Sequence, residues 1–459
     1  MEPGLDVGEV TLGRGKAQAR ALADRNQHAP ALFLYEQLLA SFPLDDDLRV
    51  DVAEVLDHLG LALEARALYR TLGVHLANVG RPLRAVVCAR TLAAAGGDDA
   101  GADAKAILEL VAQAYAAGSS RLAAFAARPS PPDPRAPVQL APPPDDLPLS
   151  ELAPRVATRA GDLAAYAGYP AQLHPIPFLS ELAPDSLQAV LQALVLHQLA
   201  DGQTVMRQGE TGTSFYLVAG GELRVSVVAG DKPPRELARL HEGSLFGEMA
   251  LITAQPRVAS VTAVGPALVL EVTRQALDRV REQIPAVQQA LDRFARERLI
   301  RNLLATSPLF TPFTKDQQAE LLRRFEGVEV DPDTEIIRQG EQGRGLYVVL
   351  SGALQVSARP AGSREEPVPL AVLGSGDIFG EMSLMTDEPT MATVRATSRC
   401  NLLFLARVYV QRLAEAVPEI GRYFAGVASR RAGDNSLRLG AATLPPEAIE
   451  LDVSDMLLL

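Results

Sequence analysis

A chain of 459 residues exceeds one ordinary domain, and 47% hydrophobic against 22% charged residues is enough to fill two to four cores. The formal charge of -12 argues against a general phosphate-backbone binder, which needs many Lys and Arg, while leaving room for one local anion pocket. No run of about 18 apolar residues occurs, and Met1–Lys16 is acidic and Gly-containing, so neither a membrane span nor a secretory leader is expected. The two cysteines, Cys88 and Cys400, show no metal-ligand spacing, and a reducing, cytoplasmic setting fits them.

In chain order, the segment Gly13-Arg-Gly-Lys16 has neither the spacing nor the Ser/Thr of a phosphate loop and is expected in a flexible terminus. Residues 17–120 read as helices. Ala31, Leu34, Tyr35 and Leu38 return as Ala65, Leu68, Tyr69 and Leu72 after 34 residues. Pro43 ends the first unit, and Gly60 falls where a small residue is wanted between paired helices. This period is similar to that of tetratricopeptide repeats, with plain helical hairpins as the alternative. Either arrangement implies a scaffold for a protein partner rather than a catalytic domain. From 121 to 173 the chain is predicted to be a linker, densest in proline over Arg128–Pro148, with a short helix allowed between 149 and 172.

From 174 the pattern changes to short strands with glycine turns, and then repeats. Val205-Met-Arg-Gln-Gly209-Glu returns as Ile336-Ile-Arg-Gln-Gly340-Glu, and Phe215-Tyr through Gly221 returns as Leu346-Tyr through Gly352. The offset of 131 residues grows to 133 after an insertion, so a whole domain is duplicated. Each copy is expected to be a small β-barrel with flanking helices, the first over 174–305 and the second over 306–430, with 431–459 as a C-terminal tail.

The stretch carrying the chemistry runs from Phe246-Gly247-Glu248-Met249-Ala250 to Pro256-Arg257-Val258. A cyclic phosphodiester bears one negative charge and needs a fixed cation and several backbone N–H donors. A Gly-Glu-Met-Ala-Leu turn offers the N–H groups, Gly247 lets the backbone approach, and Arg257 offers a planar, charged fork. This stretch closely resembles the phosphate-binding cassette of the cyclic nucleotide-binding domain family, which includes catabolite activators, protein kinase A regulatory subunits and nucleotide-gated channels. The resemblance covers about 174–430. It implies two α+β barrels of jelly-roll type, which with the α-helical repeat region read above make a multidomain protein. It further implies that Arg257 meets the phosphate and Glu248 the ribose 2′-hydroxyl, with Gly247, Met249, Ala250 and Val258 contributing further contacts. No cofactor is expected; the ligand is cAMP, with cGMP as the alternative, because Val258 lacks the hydroxyl that often accompanies cGMP preference in the family. The resemblance also places a base-capping helix within 284–305.

The second cassette, Phe379-Gly380-Glu381-Met382-Ser383 to Pro389-Thr390, keeps the acid and the turn but has Thr390 where the first has Arg257. Loss of such a contact costs on the order of 2–5 kcal/mol, so a degenerate site built from Gly380, Glu381, Ser383 and Thr390 is expected to bind weakly or not at all. After Arg430 too little chain remains for the winged helix-turn-helix of catabolite activators, and no Arg-Arg pseudosubstrate precedes the first barrel. The pair Arg430-Arg431 reads as solvated surface, and the six His as surface or interface residues. A regulatory, non-enzymatic sensor with a protein partner, binding neither nucleic acid nor membrane, is the reading; a structural adaptor whose barrels hold no ligand is the alternative.

Overall fold

A computed structural model describes residues 8–129, 131–144, 146–228, 233–248, 256–283, 297, 299–301, 303–304, 309–310, 312–359, 366–386 and 388–442. The chain forms two compact units, Met1–Leu251 with Pro256–Leu291, and Ile252–Gln255 with Asp292–Leu459.

The first unit opens with strand β1 (Gly8–Thr11) and helices α1 (Leu12–Asp24), α2 (His28–Ser41), α3 (Asp46–His58), α4 (Ala62–Val79), α5 (Pro82–Ala95) and α6 (Asp98–Tyr115). Local chemistry sets the ends. Asp45 caps α3 by accepting from Asp47 and Leu48 N–H groups, with Asp46 and Asp47 favourably placed in its first turn. Gly80 ends α4 at φ +107°, and Pro82 starts α5, so a single left-handed residue turns the chain between two long helices. Ala31, Tyr35, Leu38, Ala65, Tyr69 and Leu72 are all buried in the helical core.

Two expectations change here. The segment 121–173, expected as a linker, also contains strand β2 (Pro137–Leu140), which pairs antiparallel with β1; helix α7 (Leu149–Gly161), packed on α2, α3 and α4, lies where a short helix is allowed. The cause is an apolar stripe: Leu152, Ala153, Val156 and Ala160 are buried. Nor is Gly13–Lys16 a flexible terminus. It lies inside α1, where Gly15 is buried against Leu38 and Lys16 pairs with Asp45 at 2.5 Å.

Helix α8 (Pro184–Ala193) then leads into β3 (Val195–Leu199), β4 (Thr204–Met206), β5 (Ser214–Val227), β6 (Arg235–Leu240), β7 (Leu245–Phe246), β8 (Ser260–Thr273) and helix α9 (Arg274–Gln283). The long strands β5 and β8 pair antiparallel from Ser214↔Thr273 to Ser226↔Ser260, and every other strand of this sheet joins one of them. Bends at Gly220 and Gly221 let the sheet curl around Met206, Tyr216, Val218, Leu223, Phe246 and Val269. At Gly221 φ is +79°, and a Cβ would lie 2.5 Å from the Pro266 carbonyl oxygen, so only glycine fits.

In the second unit, helix α10 (Lys315–Leu322), opened by a Thr314/Gln317 capping box, precedes β9 (Glu326–Val330), β10 (Glu335–Ile337), β11 (Gly345–Ser351), β12 (Leu354–Ala358), β13 (Val368–Leu373) and β14 (Ile378–Phe379). Then follow α11 (Glu381–Thr386), β15 (Thr393–Ala396), β16 (Cys400–Ala406), α12 (Arg407–Ala416) and α13 (Pro418–Ala442). Its strands form two four-stranded sheets, ordered β10-β15-β12-β13 and β14-β11-β16-β9.

Candidate functional site

In the first barrel, β7 delivers Phe246 into the core and ends at Gly247. Gly247 has φ +84°, and a Cβ on it would lie 2.8 Å from Arg257 Nη1, so the left-handed glycine and the guanidinium require each other. Glu248 follows directly and is buried, at 4% exposure. Arg257 is buried too, at 7%. Two backbone bonds fix its main chain: Gly209 N donates to Arg257 O, and Arg257 N donates to Glu210 O, both at 2.8 Å. Its guanidinium donates to the carbonyl of Ser214 at 2.6 Å and to that of Gly247. It also lies 5.9 Å from the centroid of Tyr216, which stacks on Phe246. Burial draws Arg257 below the usual arginine pKa, and the charges of Glu248, Glu271 and Glu210 pull the other way. It stays a cation at neutral pH. The result is a buried cation and a buried carboxylate beside one tight glycine turn.

Of the residues picked from sequence, Gly247, Glu248 and Arg257 are brought together, whereas Val258 is 70% exposed. Met249 and Ala250 lie outside the described residues, as does most of the expected capping segment 284–305. Sequence reasoning missed Ser214, Tyr216 and Glu210. The repeated Arg-Gln-Gly-Glu segment was the available signal for the last of these: it is the edge that holds the cassette arginine's backbone.

The second barrel repeats the frame with different chemistry. Gly380 has φ +87°, Tyr347 stacks on Phe379 at 4.9 Å, and Gly340 and Glu341 bond the backbone of Thr390 as Gly209 and Glu210 bond that of Arg257. The Thr390 hydroxyl turns inward and shares its one proton between the carbonyls of Arg338 and Glu341. Glu381, 1% exposed, accepts from Arg431 Nη1 at 2.8 Å, and the same nitrogen donates to Ile378 O at 2.7 Å. Burial raises the Glu381 pKa against the opposing charge of Arg431. Arg431 is therefore no solvated surface residue: helix α13 carries it to the cassette, where the buried carboxylate recovers part of its desolvation cost. Gly380, Glu381, Ser383 and Thr390 line one cavity of about 170 Å³ with Arg431, and the other walls are mainly apolar, including Ile337, Val356 and Leu373.

The family model described as the cyclic nucleotide-binding domain matches residues 196–283 and 328–416, one stretch in each unit. The chain carries two cyclic nucleotide-binding domains in tandem. The chain is 30% identical over 243 residues to a cAMP-dependent protein kinase regulatory subunit of Eremothecium gossypii, covering 53% of this chain and 49% of that protein. It is 29% identical over 219 residues to the cGMP-dependent protein kinase egl-4 of Caenorhabditis briggsae, covering 48% of this chain and 27% of that one. The chain thus spans about half the length, or less, of these curated relatives. Among solved structures, the regulatory domain of Toxoplasma gondii PKA with cAMP is 25% identical, with 55% of this chain and 92% of that one covered and a TM-score of 0.27.

Proposed function

We propose that the protein is a cyclic-nucleotide-responsive regulator in which the first domain binds the ligand and the second does not. The observation that carries this reading is the contrast between the two cassettes. Arg257 and Glu248 lie buried together at Gly247, while Thr390, in the place of Arg257, offers no cation and spends its hydroxyl on backbone carbonyls. A guanidinium has five N–H donors. Two orient it on Ser214 and Gly247, and the proposal assigns the rest of the fork to the exocyclic phosphate oxygens. Glu248 takes the ribose 2′-hydroxyl, and Val258, with no hydroxyl to offer a guanine, favours cAMP over cGMP.

The role is regulatory rather than catalytic. The relatives support this: one is a regulatory subunit, and the other a kinase of which this chain covers only 27%. The helical region α1–α6 is read as tetratricopeptide-like on its 34-residue sequence period, and as the surface for a protein partner. The site is soluble and cytoplasmic in this reading; no described helix is long and apolar enough to cross a membrane.

Calorimetric titration of the full chain with cAMP and cGMP tests it. Wild type is expected to bind cAMP at one site per chain, more tightly than cGMP, and Arg257→Ala to lose at least about thirtyfold in affinity. Silence from wild type with both nucleotides would leave the adaptor reading instead.

A further inference from the structure

The first unit contains a second group of charges, away from the cassette, in which Arg84 is buried and its partners are part-buried. It begins at the Gly80-Arg81-Pro82 turn. Arg81 and Arg84, one helical turn apart at the start of α5, both donate to Asp47 Oδ1 at the start of α3, Arg81 at 3.0 Å. Arg81 also reaches Glu242 with two bonds, Nη2 to Oε2 at 2.6 Å and Nε to Oε1 at 3.3 Å. Glu242 sits in the turn between β6 and β7, five residues before Gly247. That turn is stitched to β5, since Gly243 N donates to Val218 O and Val218 N to Ser244 O, both at 2.9 Å. Arg84, 6% exposed, lies on the bend of β5 itself: a Cβ on Gly220 would come within 2.9 Å of its Nη1.

One strand is therefore gripped at two places. Near its start, Ser214 and Tyr216 hold the cassette arginine; six residues on, roughly 20 Å along a strand, Gly220 carries Arg84. The turn that Arg81 holds feeds directly into β7, Gly247 and Glu248. Against the cost of burial, Arg84 and Arg81 keep Asp47 well below the usual carboxylate pKa, so all three groups remain charged. Arg84 is buried and Arg81 nearly so, and removing a partner from a charge held out of water is costly, which makes this a discrete contact rather than a sliding surface pair.

We propose that Arg81 and Arg84 form a clamp coupling the helical region to the nucleotide cassette of the first barrel, with the Arg81–Glu242 pair positioning the turn that enters Gly247 and Glu248. The inference rests on nucleotide binding by that barrel. It names the route by which occupancy reaches α3 and α5. Linkage makes the coupling reciprocal: a partner that prefers one setting of α5 changes nucleotide affinity by the factor by which nucleotide changes partner affinity.

The test uses the full chain, cAMP as probe, and two readouts: affinity by calorimetry, and amide hydrogen exchange of residues 46–58 and 82–95. In wild type, cAMP is expected to slow exchange in both segments. Glu242→Gln is expected to weaken cAMP binding about tenfold and to abolish that protection, while Arg257 is unaltered. Should Glu242→Gln fail to show a cooperative melt, Arg81→Lys, which keeps the charge but loses the two-bond fork, is expected to give the same two changes. Affinity loss with cAMP-induced protection intact would make Glu242 a local prop of the turn and overturn the coupling. Unchanged affinity would overturn it as well. If wild type binds cAMP and Arg257→Ala does not, either failure belongs to the clamp alone; if wild type binds nothing, the functional reading and the clamp both fall.

Discussion

Two residues separated by 133 positions, Arg257 and Thr390, occupy the same place on the same backbone frame and do opposite things. The arginine is long enough to cross to Ser214 and Gly247; the threonine is too short and turns back onto its own loop. This difference was legible in the sequence, because a cassette lacking its cation is visible in a one-letter string. The partners of Arg257 were not, because backbone carbonyls carry no sequence signature. Gly247→Ala would demand a left-handed alanine and displace the guanidinium; an affinity loss of at least tenfold for cAMP is expected, with a structural cost of about 1–3 kcal/mol in a urea melt of the first unit. A second expectation concerns Glu54 in α3, whose pKa is pushed up to about 7 by burial and by the charge of Asp51, against Arg84 and Arg20. A carboxyl whose folded pKa is raised holds its extra proton below that value, so its stabilising contribution is lost as pH rises through about 7. Wild type is expected to lose about 1–3 kcal/mol relative to Glu54→Gln between pH 5 and pH 8; a constant difference in urea melts across that range would contradict it.

Helices show where a linear reading stops. The 34-residue period and the proline run gave the helical region and the start of the strands, yet α7 was only allowed as a short helix in a linker, since a proline-rich neighbourhood hides one amphipathic turn after another. The role of α13 was invisible, because Arg431 meets Glu381 across 50 residues and an Arg-Arg pair has no periodicity to betray a target. Similarly, His75 was expected at a surface or interface but is fully buried, its Nε2 3.0 Å from Asp46 and its Nδ1 3.3 Å from the Tyr169 hydroxyl; burial was set by α4 packing, not by its own polarity. For α13, Arg431→Met is expected to destabilise the second unit by about 1–3 kcal/mol by leaving Glu381 buried and unpaired, and Arg431→Met with Glu381→Gln to recover part of that loss. Thermal melts of the two variants check it; equal melts for single variant and wild type would mean the pair contributes nothing.

At the scale of the whole molecule, the helical region and the first barrel share one compact unit, and the second barrel belongs to the other. Ligand bound only by the first should therefore stabilise one transition more than the other. At a hundredfold excess over Kd, about 2.7 kcal/mol is expected in the unit holding Arg257, seen as an upward shift of one calorimetric transition that Arg257→Ala abolishes. The pairing of β1 with β2 has a consequence of its own for anyone shortening the chain. Gly8–Thr11 is joined to Pro137–Leu140 in four-residue register, so β1 is the only cover over one edge of the second strand among the described residues. Trimming a seemingly dispensable leader back to Lys16 would strip that cover and bare a row of N–H and C=O groups ready to recruit a neighbouring molecule. Fragments meant to stay monomeric should begin ahead of Gly8.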